Sequence, residues 1–243
     1  MHRIYFPDYD ERWQLVIDRV KEVVPGEGRI LDLGCGPGTL TGRLGDALPE
    51  ASVLGVDAHP ALIAMARAGH PGVSFVEAFV GAPDAEASLK QLGPFDAIVS
   101  SAFVHYFDPD GVVSLLRGCR GLLTPHGVLV TAEQFVSGEP SVGDGNSELP
   151  DVNPVARQKQ FTDGVSADVE ADDSLSPWTQ WWADTSADVE IVALTGPIEV
   201  PLGSSPLPMT LSDFVEALGS AGFRRWDALY ATGKSVVVTA SIA

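Results

Sequence analysis

At 243 residues, with 45% hydrophobic and 20% charged residues, the chain has material for one large domain with a real core, or for a domain carrying a sizeable insertion. A formal charge of −18 repels phosphate backbones and anionic lipid headgroups alike, which sets aside nucleic acid and membrane surfaces as partners. No apolar run approaches the roughly 20 residues that cross a bilayer, and the first eight residues form no apolar signal segment. A soluble cytoplasmic protein, monomeric or homodimeric, is expected. Cys35 and Cys119 fit no zinc or redox spacing, and no acid cluster precedes the later strand tips, so no metal is expected.

The chain starts with a polar-aromatic arm containing Tyr5, Phe6 and Tyr9. Apolar positions 13, 16, 17, 20, 23 and 24 then follow helical spacing over residues 8–24, and Pro25-Gly26 stops that helix. Residues 28–33 read as a first strand that runs into Gly34-Cys35-Gly36-Pro37-Gly38, with a helix over 39–48. Glycines suit such a turn because they accept positive φ and let the backbone approach a ligand. The N-terminus of the new helix offers N–H groups with no partner inside the helix. The spacing is GxGxG, and Thr39 stands where a dinucleotide fingerprint needs its third glycine. A second strand over 52–56 ends at Asp57, where a carboxylate can accept two hydrogen bonds from a ribose diol.

Ala58-His59 leads to Pro60, which suits the first turn of an alanine-rich helix. Residues 72–78 read as strand three, followed by Phe79 and Val80, and 84–92 as a short helix. Residues 94–100 read as strand four, with a tip over Ser101-Ala102-Phe103-Val104-His105-Tyr106-Phe107. Asp108-Pro109-Asp110-Gly111 reads as a turn and cap for a helix over 110–123. Strand five covers 128–132. Strands and helices alternating at this pace predict a parallel, doubly wound α/β sheet.

The alternation stops at about 134 and resumes at about 210. Asp and Glu outnumber Arg157 and Lys159 thirteen to two between Glu133 and Glu190, so most of the net charge lies there. A structureless loop of that length is improbable in a compact domain, which predicts an inserted lid with one or two helices over the acceptor site. Its aromatic focus is Trp178, Trp181 and Trp182, which fall on one helical face. The expected organisation is a core over 1–133, an insertion over 134–209, and a closing helix and β-hairpin over 210–243.

The Ile30–Thr39 stretch and Val53–Asp57 together resemble motif I and its acidic partner in the class I S-adenosylmethionine-dependent methyltransferases. The ending around Ala221-Gly222-Phe223, with a strand, a turn and a last strand, resembles the close of the same family. So does Leu123-Thr124-Pro125-His126-Gly127 before strand five, with His126 replacing a glycine. With the Trp-rich segment, the ending also resembles, loosely, bacterial enzymes likened to trans-aconitate methyltransferases. The resemblance implies a Rossmann-like seven-stranded sheet of order 3-2-1-4-5-7-6 with the last strand antiparallel. It implies S-adenosylmethionine as cofactor and S-adenosylhomocysteine as product. Asp32, Gly34, Cys35, Gly36 and Gly38 would surround its amino acid part and Asp57 its ribose. Ala58, Ala78 and Phe79 would flank adenine, and Ser100 would border the cofactor from strand four. Many relatives place an acid after strand three to bind the adenine amino group, and Ala78-Phe79 departs from that pattern. No NPPY or DPPY tetrapeptide marks strand four.

The resemblance implies in-line methyl transfer to oxygen or nitrogen of a small organic molecule, such as a specialised metabolite. His105 is the candidate general base, because it lies just past strand four and imidazole titrates near neutrality. Tyr5, Tyr106, Trp178 and Trp182 are the candidate acceptor contacts. Two alternatives share the loop: a cofactor-binding cyclase or pericyclic enzyme on the same fold, and a NAD-dependent oxidoreductase, against which Thr39 argues.

Overall fold

A computed structural model describes residues 8–80, 90–91, 93–136, 177–198 and 209–243, with the backbone alone for 177–179. Seven strands form one sheet: β1 (Arg29–Leu33), β2 (Ser52–Asp57), β3 (Ser74–Glu77), β4 (Phe95–Ser101), β5 (Leu123–Gln134), β6 (Arg225–Thr232) and β7 (Ser235–Ser241). Their order is β3-β2-β1-β4-β5-β7-β6. β1 to β5 pair in parallel, and β7 runs antiparallel to both its neighbours. This is the order and the antiparallel last strand that the resemblance implied.

The helices are α1 (Tyr9–Val23), α2 (Thr39–Ala47), α3 (Pro60–Gly69), α4 (Pro109–Leu122), α5 (Pro177–Ala187), α6 (Val189–Thr195) and α7 (Leu211–Ala221). Their ends follow local chemistry. Asp108 caps α4 by accepting from Gly111 N at 2.7 Å, with Pro109 in the first turn. Thr210 and Asp213 form a reciprocal capping box on α7, and Gly222 ends it in the left-handed conformation. The helix expected over 84–92 lies outside the described residues except for Lys90 and Gln91.

Central strands of a parallel sheet are covered on both faces and so read as continuous apolar runs. Leu31 and Leu33 of β1 join one core with Phe95, Ile98, Leu116, Phe214 and Leu218, under α4 and α7. Ile30 points the other way, into a core with Trp13, Val16, Val20, Leu44 and Val99, under α1 and α2. Burying each such side chain contributes roughly 1.5–3 kcal/mol. β5 is longer than the expected 128–132. Leu123 pairs with Phe95 across a register shift, and Glu133 and Gln134 continue the ladder against Val236 and Ser235. That extension carries an acid into the sheet at the end where the loops gather.

Candidate functional site

The glycine turn sits between β1 and α2, beside the end of β2. Gly34, Gly36 and Gly38 have φ of 65°, 55° and 80°. A Cβ on Gly38 would come within 2.7 Å of the Phe75 ring, whereas one on Gly36 would meet nothing within 4 Å. Gly38 is therefore a packing glycine, and Gly36 faces open space above the strand ends. Asp57 ties the turn down: Oδ2 accepts from Gly36 N at 2.9 Å and Oδ1 from His59 N at 2.9 Å. Each carboxylate oxygen keeps a second lone-pair direction, so the acid can still take two hydroxyl donors. The turn is also held by Cys35 N donating to Val56 O at 3.0 Å.

Asp32 lies behind the turn on the α2 side. It is 1% exposed and accepts from Thr41 Oγ1 at 2.7 Å. Burial pushes its carboxyl up from the usual carboxylate range to about 7, the Thr41 hydroxyl opposes that rise, and the Asp57 charge adds to it. The Cys35 side chain turns away from the cleft and packs with Ile63, Ala66 and Phe75. Burial first, and then the Asp32 and Asp57 charges, push its thiol far upward, so Cys35 is an inert filler rather than a nucleophile.

At the β2–β3 side, Ala58 is exposed and Ala78 is half-buried, its N–H donating to Asp57 O at 3.0 Å. Phe79 is 64% exposed, two residues past the Glu77 that pairs with Asp57. His59 makes no side-chain cap to α3. Its ring lies 4.8 Å from that of Trp182, which is 1% exposed and packs edge-on to Trp181. Trp182 thus stands over the β2 end, whereas His105 follows β4. With β1 between them, two strand spacings of about 4.8 Å separate those ends. The structure brings Trp182 to His59 at the β2 end and not to the His105 end, with α6 packed along α3 and against α5. Tyr5 and the Trp178 side chain lie outside the described residues.

Ser100 was expected to border the cofactor. Its hydroxyl is instead paired with Thr131 Oγ1 at 2.7 Å, between β4 and β5, and the residue is 3% exposed. Past β4, Ala102 adopts φ 52°, a left-handed conformation that costs an alanine of order 1–3 kcal/mol. The bend aims the Phe103 and Val104 N–H groups at Glu133 Oε2, both at 3.0 Å. Glu133 Oε1 lies 2.8 Å from His105 Nδ1. Tyr106 is 45% exposed, with its ring 4.5 Å from the imidazole. Trp13 Nε1 of α1 donates to Ser101 Oγ at 2.9 Å and steadies the same tip.

Glu133, which holds the β4 tip through these contacts, is the residue of this cluster that the sequence reading missed. The available signal was an acid directly after the apolar run Val128–Ala132 of a central strand, where a buried charge needs a partner. A separate cavity of about 370 Å³ lies between α4 and α7, lined by Phe107, Val113, Asp110, Asp213 and Glu216 among others. It sits on the helical flank, apart from the glycine turn.

Residues 31–129, from the first strand through the start of the fifth, match the family described as "Methyltransferase domain". Over that stretch, about two fifths of the chain, the protein is similar to a methyltransferase domain. A trans-aconitate 2-methyltransferase from Methylobacterium nodulans is 35% identical over 138 residues, 56% of this chain and 50% of that protein. One from Escherichia coli is 38% identical over 100 residues, 41% of this chain and 36% of that protein. The chain thus spans half or less of the length of these curated relatives. Among solved structures, a TehB-like methyltransferase from Corynebacterium glutamicum superposes with a TM-score of 0.52 at 17% identity, covering 95% of this chain and 86% of that one. Human N-acetylserotonin methyltransferase, solved with its cofactor, gives 0.55 at 15%, covering 95% of this chain and 50% of that one. These likenesses show the methyltransferase fold.

Proposed function

We propose that the protein transfers a methyl group from S-adenosylmethionine to oxygen or nitrogen of a small organic molecule. The observation that carries this reading is the open space above Gly36, bounded by the turn's backbone amides and by the Asp57 carboxylate. The residues present fit the nucleoside. Asp57 has acceptor capacity left for a ribose diol, the exposed Phe79 just past β3 would flank adenine, and the start of α2 closes the amino acid end.

When bound, S-adenosylmethionine supplies an already activated methyl on a sulfonium, so most of the chemical driving force belongs to it. The protein's work is alignment and exclusion of water. In this reading Asp57 and the glycine turn fix the nucleoside, and Asp32 faces its cationic end through the turn. Tyr106 forms a wall for the acceptor, and His105 takes up the acceptor's proton. Trp182, held on His59, covers the nucleoside half and shields it from solvent. Incubation with methyl-labelled cofactor and candidate small molecules tests the proposal by product mass. A gain of one methylene unit in an acceptor is the expected result. Release of labelled methyl to water alone, or cofactor turnover without a methylated product, would refute it.

A further inference from the structure

Ser101 is the last residue of β4, and its side chain reaches the α1 face of the sheet. β1 and β4 pair in parallel with Leu33 level with Ser100, so Ser101 stands level with Gly34, the first residue of the glycine turn. Side chains alternate along a strand, and Ala97 and Val99 lie in the core under α1 and α2, so Ser101 points to that same face. There the Trp13 indole N–H meets its hydroxyl oxygen at 2.9 Å. An indole N–H only donates, so Ser101 Oγ accepts this bond and turns its own proton away from it. Trp13 holds the arrangement in place: it is 2% exposed, packs edge-on to Tyr9 at 5.0 Å, and carries the Arg43 guanidinium of α2 5.2 Å over its ring. Half-buried beside the turn, the Ser101 hydroxyl is thus a preset hydrogen-bond donor.

What that donor can hold follows from the charges around it. Asp57 at the end of β2 and, once ionised, Asp32 on β1 make their side of the cleft a place for hydroxyls and cations. β4 lies on the other side of β1. An anionic group is repelled by the two acids and finds donors toward β4: the Ser101 hydroxyl, and the first-turn N–H groups of α2, which have no partner inside the helix. Resting on the methyl-transfer reading above, we propose that Ser101 donates to the carboxylate of the cofactor's amino acid group, and that Trp13 is the positioning residue that turns the Ser101 hydroxyl toward it. With the ribose on Asp57, the amino acid chain crosses β1 and ends at β4, two strand spacings of about 4.8 Å from β2. The ammonium group of the same chain stays on the side of the acids. Through Trp13, α1 contributes to cofactor binding with a side chain that acts only by way of Ser101.

The test is titration calorimetry at pH 8 with two ligands: S-adenosylhomocysteine, and S-adenosyl-3-thiopropylamine, which keeps the nucleoside, thioether and ammonium but lacks the carboxylate. The proteins are the wild type, Ser101→Ala, Trp13→Phe and the double variant, each checked by circular dichroism. Loss of one charge-assisted hydrogen bond should weaken S-adenosylhomocysteine about tenfold in Ser101→Ala and change the analogue less than about twofold. Trp13→Phe keeps a ring for Tyr9 and Arg43 and lacks only the N–H, so it should weaken S-adenosylhomocysteine severalfold and spare the analogue. The double variant should bind no more weakly than Ser101→Ala alone, because Trp13 acts through Ser101. Equal losses on the two ligands would make the pair merely structural and overturn the proposal. Losses that multiply in the double variant, or a Trp13→Phe protein without native circular dichroism, would overturn the positioning role of Trp13, and Ser101→Ala alone then decides the carboxylate contact. If the wild type binds S-adenosylhomocysteine and Ser101→Ala binds it equally well, the proposal falls and the methyl-transfer reading stands. If the wild type binds neither ligand, both fall.

Discussion

Asp32 gives a pH-dependent stability that can be worked from the structure. In the folded protein it holds its proton up to about pH 7, because burial penalises the charge more than the Thr41 hydrogen bond relieves it. In the unfolded chain it ionises near its ordinary value of 3.8. Between those values the native state binds more protons than the unfolded state, so stability falls as pH rises. The contribution is complete below about pH 4 and gone above about pH 7. Asp32→Asn keeps an oxygen for the Thr41 hydroxyl and removes the titration. Each unit of pH in the window is worth about 1.4 kcal/mol, so the stability of Asp32→Asn relative to wild type should rise by about 3 kcal/mol between pH 5 and pH 8. Urea unfolding of both proteins at the two pH values measures the change. A difference that stays constant would mean that Asp32 is ionised when folded throughout, and would refute the reasoning. The same logic predicts that a bound cationic nucleoside pulls Asp32 toward its ionised form.

Three further outcomes follow from the same geometry. Gly36→Val puts a β-branched side chain at φ 55° and into the space that is open in the native protein. S-adenosylhomocysteine affinity should fall at least about tenfold with near-native circular dichroism, and unchanged affinity would remove the turn from the binding site. Trp182→Ala empties a site that is 1% exposed, a truncation worth roughly 3–5 kcal/mol in a core. Amide exchange should quicken in α5 and α6 while β1 and β4 keep their protection; uniform protection would show that the ring does not hold those helices. Proton release on S-adenosylmethionine binding, read by calorimetry in two buffers of different ionisation heat, should be largest near pH 7 and absent in Asp32→Asn; equal release in both proteins would separate Asp32 from the site.

The sheet was legible because its signals are local. Apolar strands, the Gly34–Gly38 turn, the Pro60 and Pro109 helix starts and the Thr210 cap each state their own conformation, and alternation then dictates a parallel order. Asp57 was legible for the same reason, as an acid at a strand end. Side-chain direction was not. Cys35 and Ser100 stand in the right stretches, yet one packs under Phe75 and the other pairs with Thr131, which only the folded arrangement decides. Trp182 belongs to the segment expected over the acceptor, but the packing of α6 on α3 brings its ring to His59. Glu133 was hidden because its meaning is nonlocal. It serves residues 28 to 30 positions earlier in the chain, on the neighbouring strand's tip.

Titration calorimetry of S-adenosylhomocysteine into the wild type and Asp57→Asn is the most direct trial of the cleft between the glycine turn and the β2 acid. Losing the charge from an acceptor of two hydroxyl donors removes charge-assisted bonds worth about 1.5–3 kcal/mol each, so affinity should fall at least about tenfold. The account predicts one binding event per chain in the wild type and that weakening in the variant. No heat from the wild type, or equal affinity in both proteins, would contradict it.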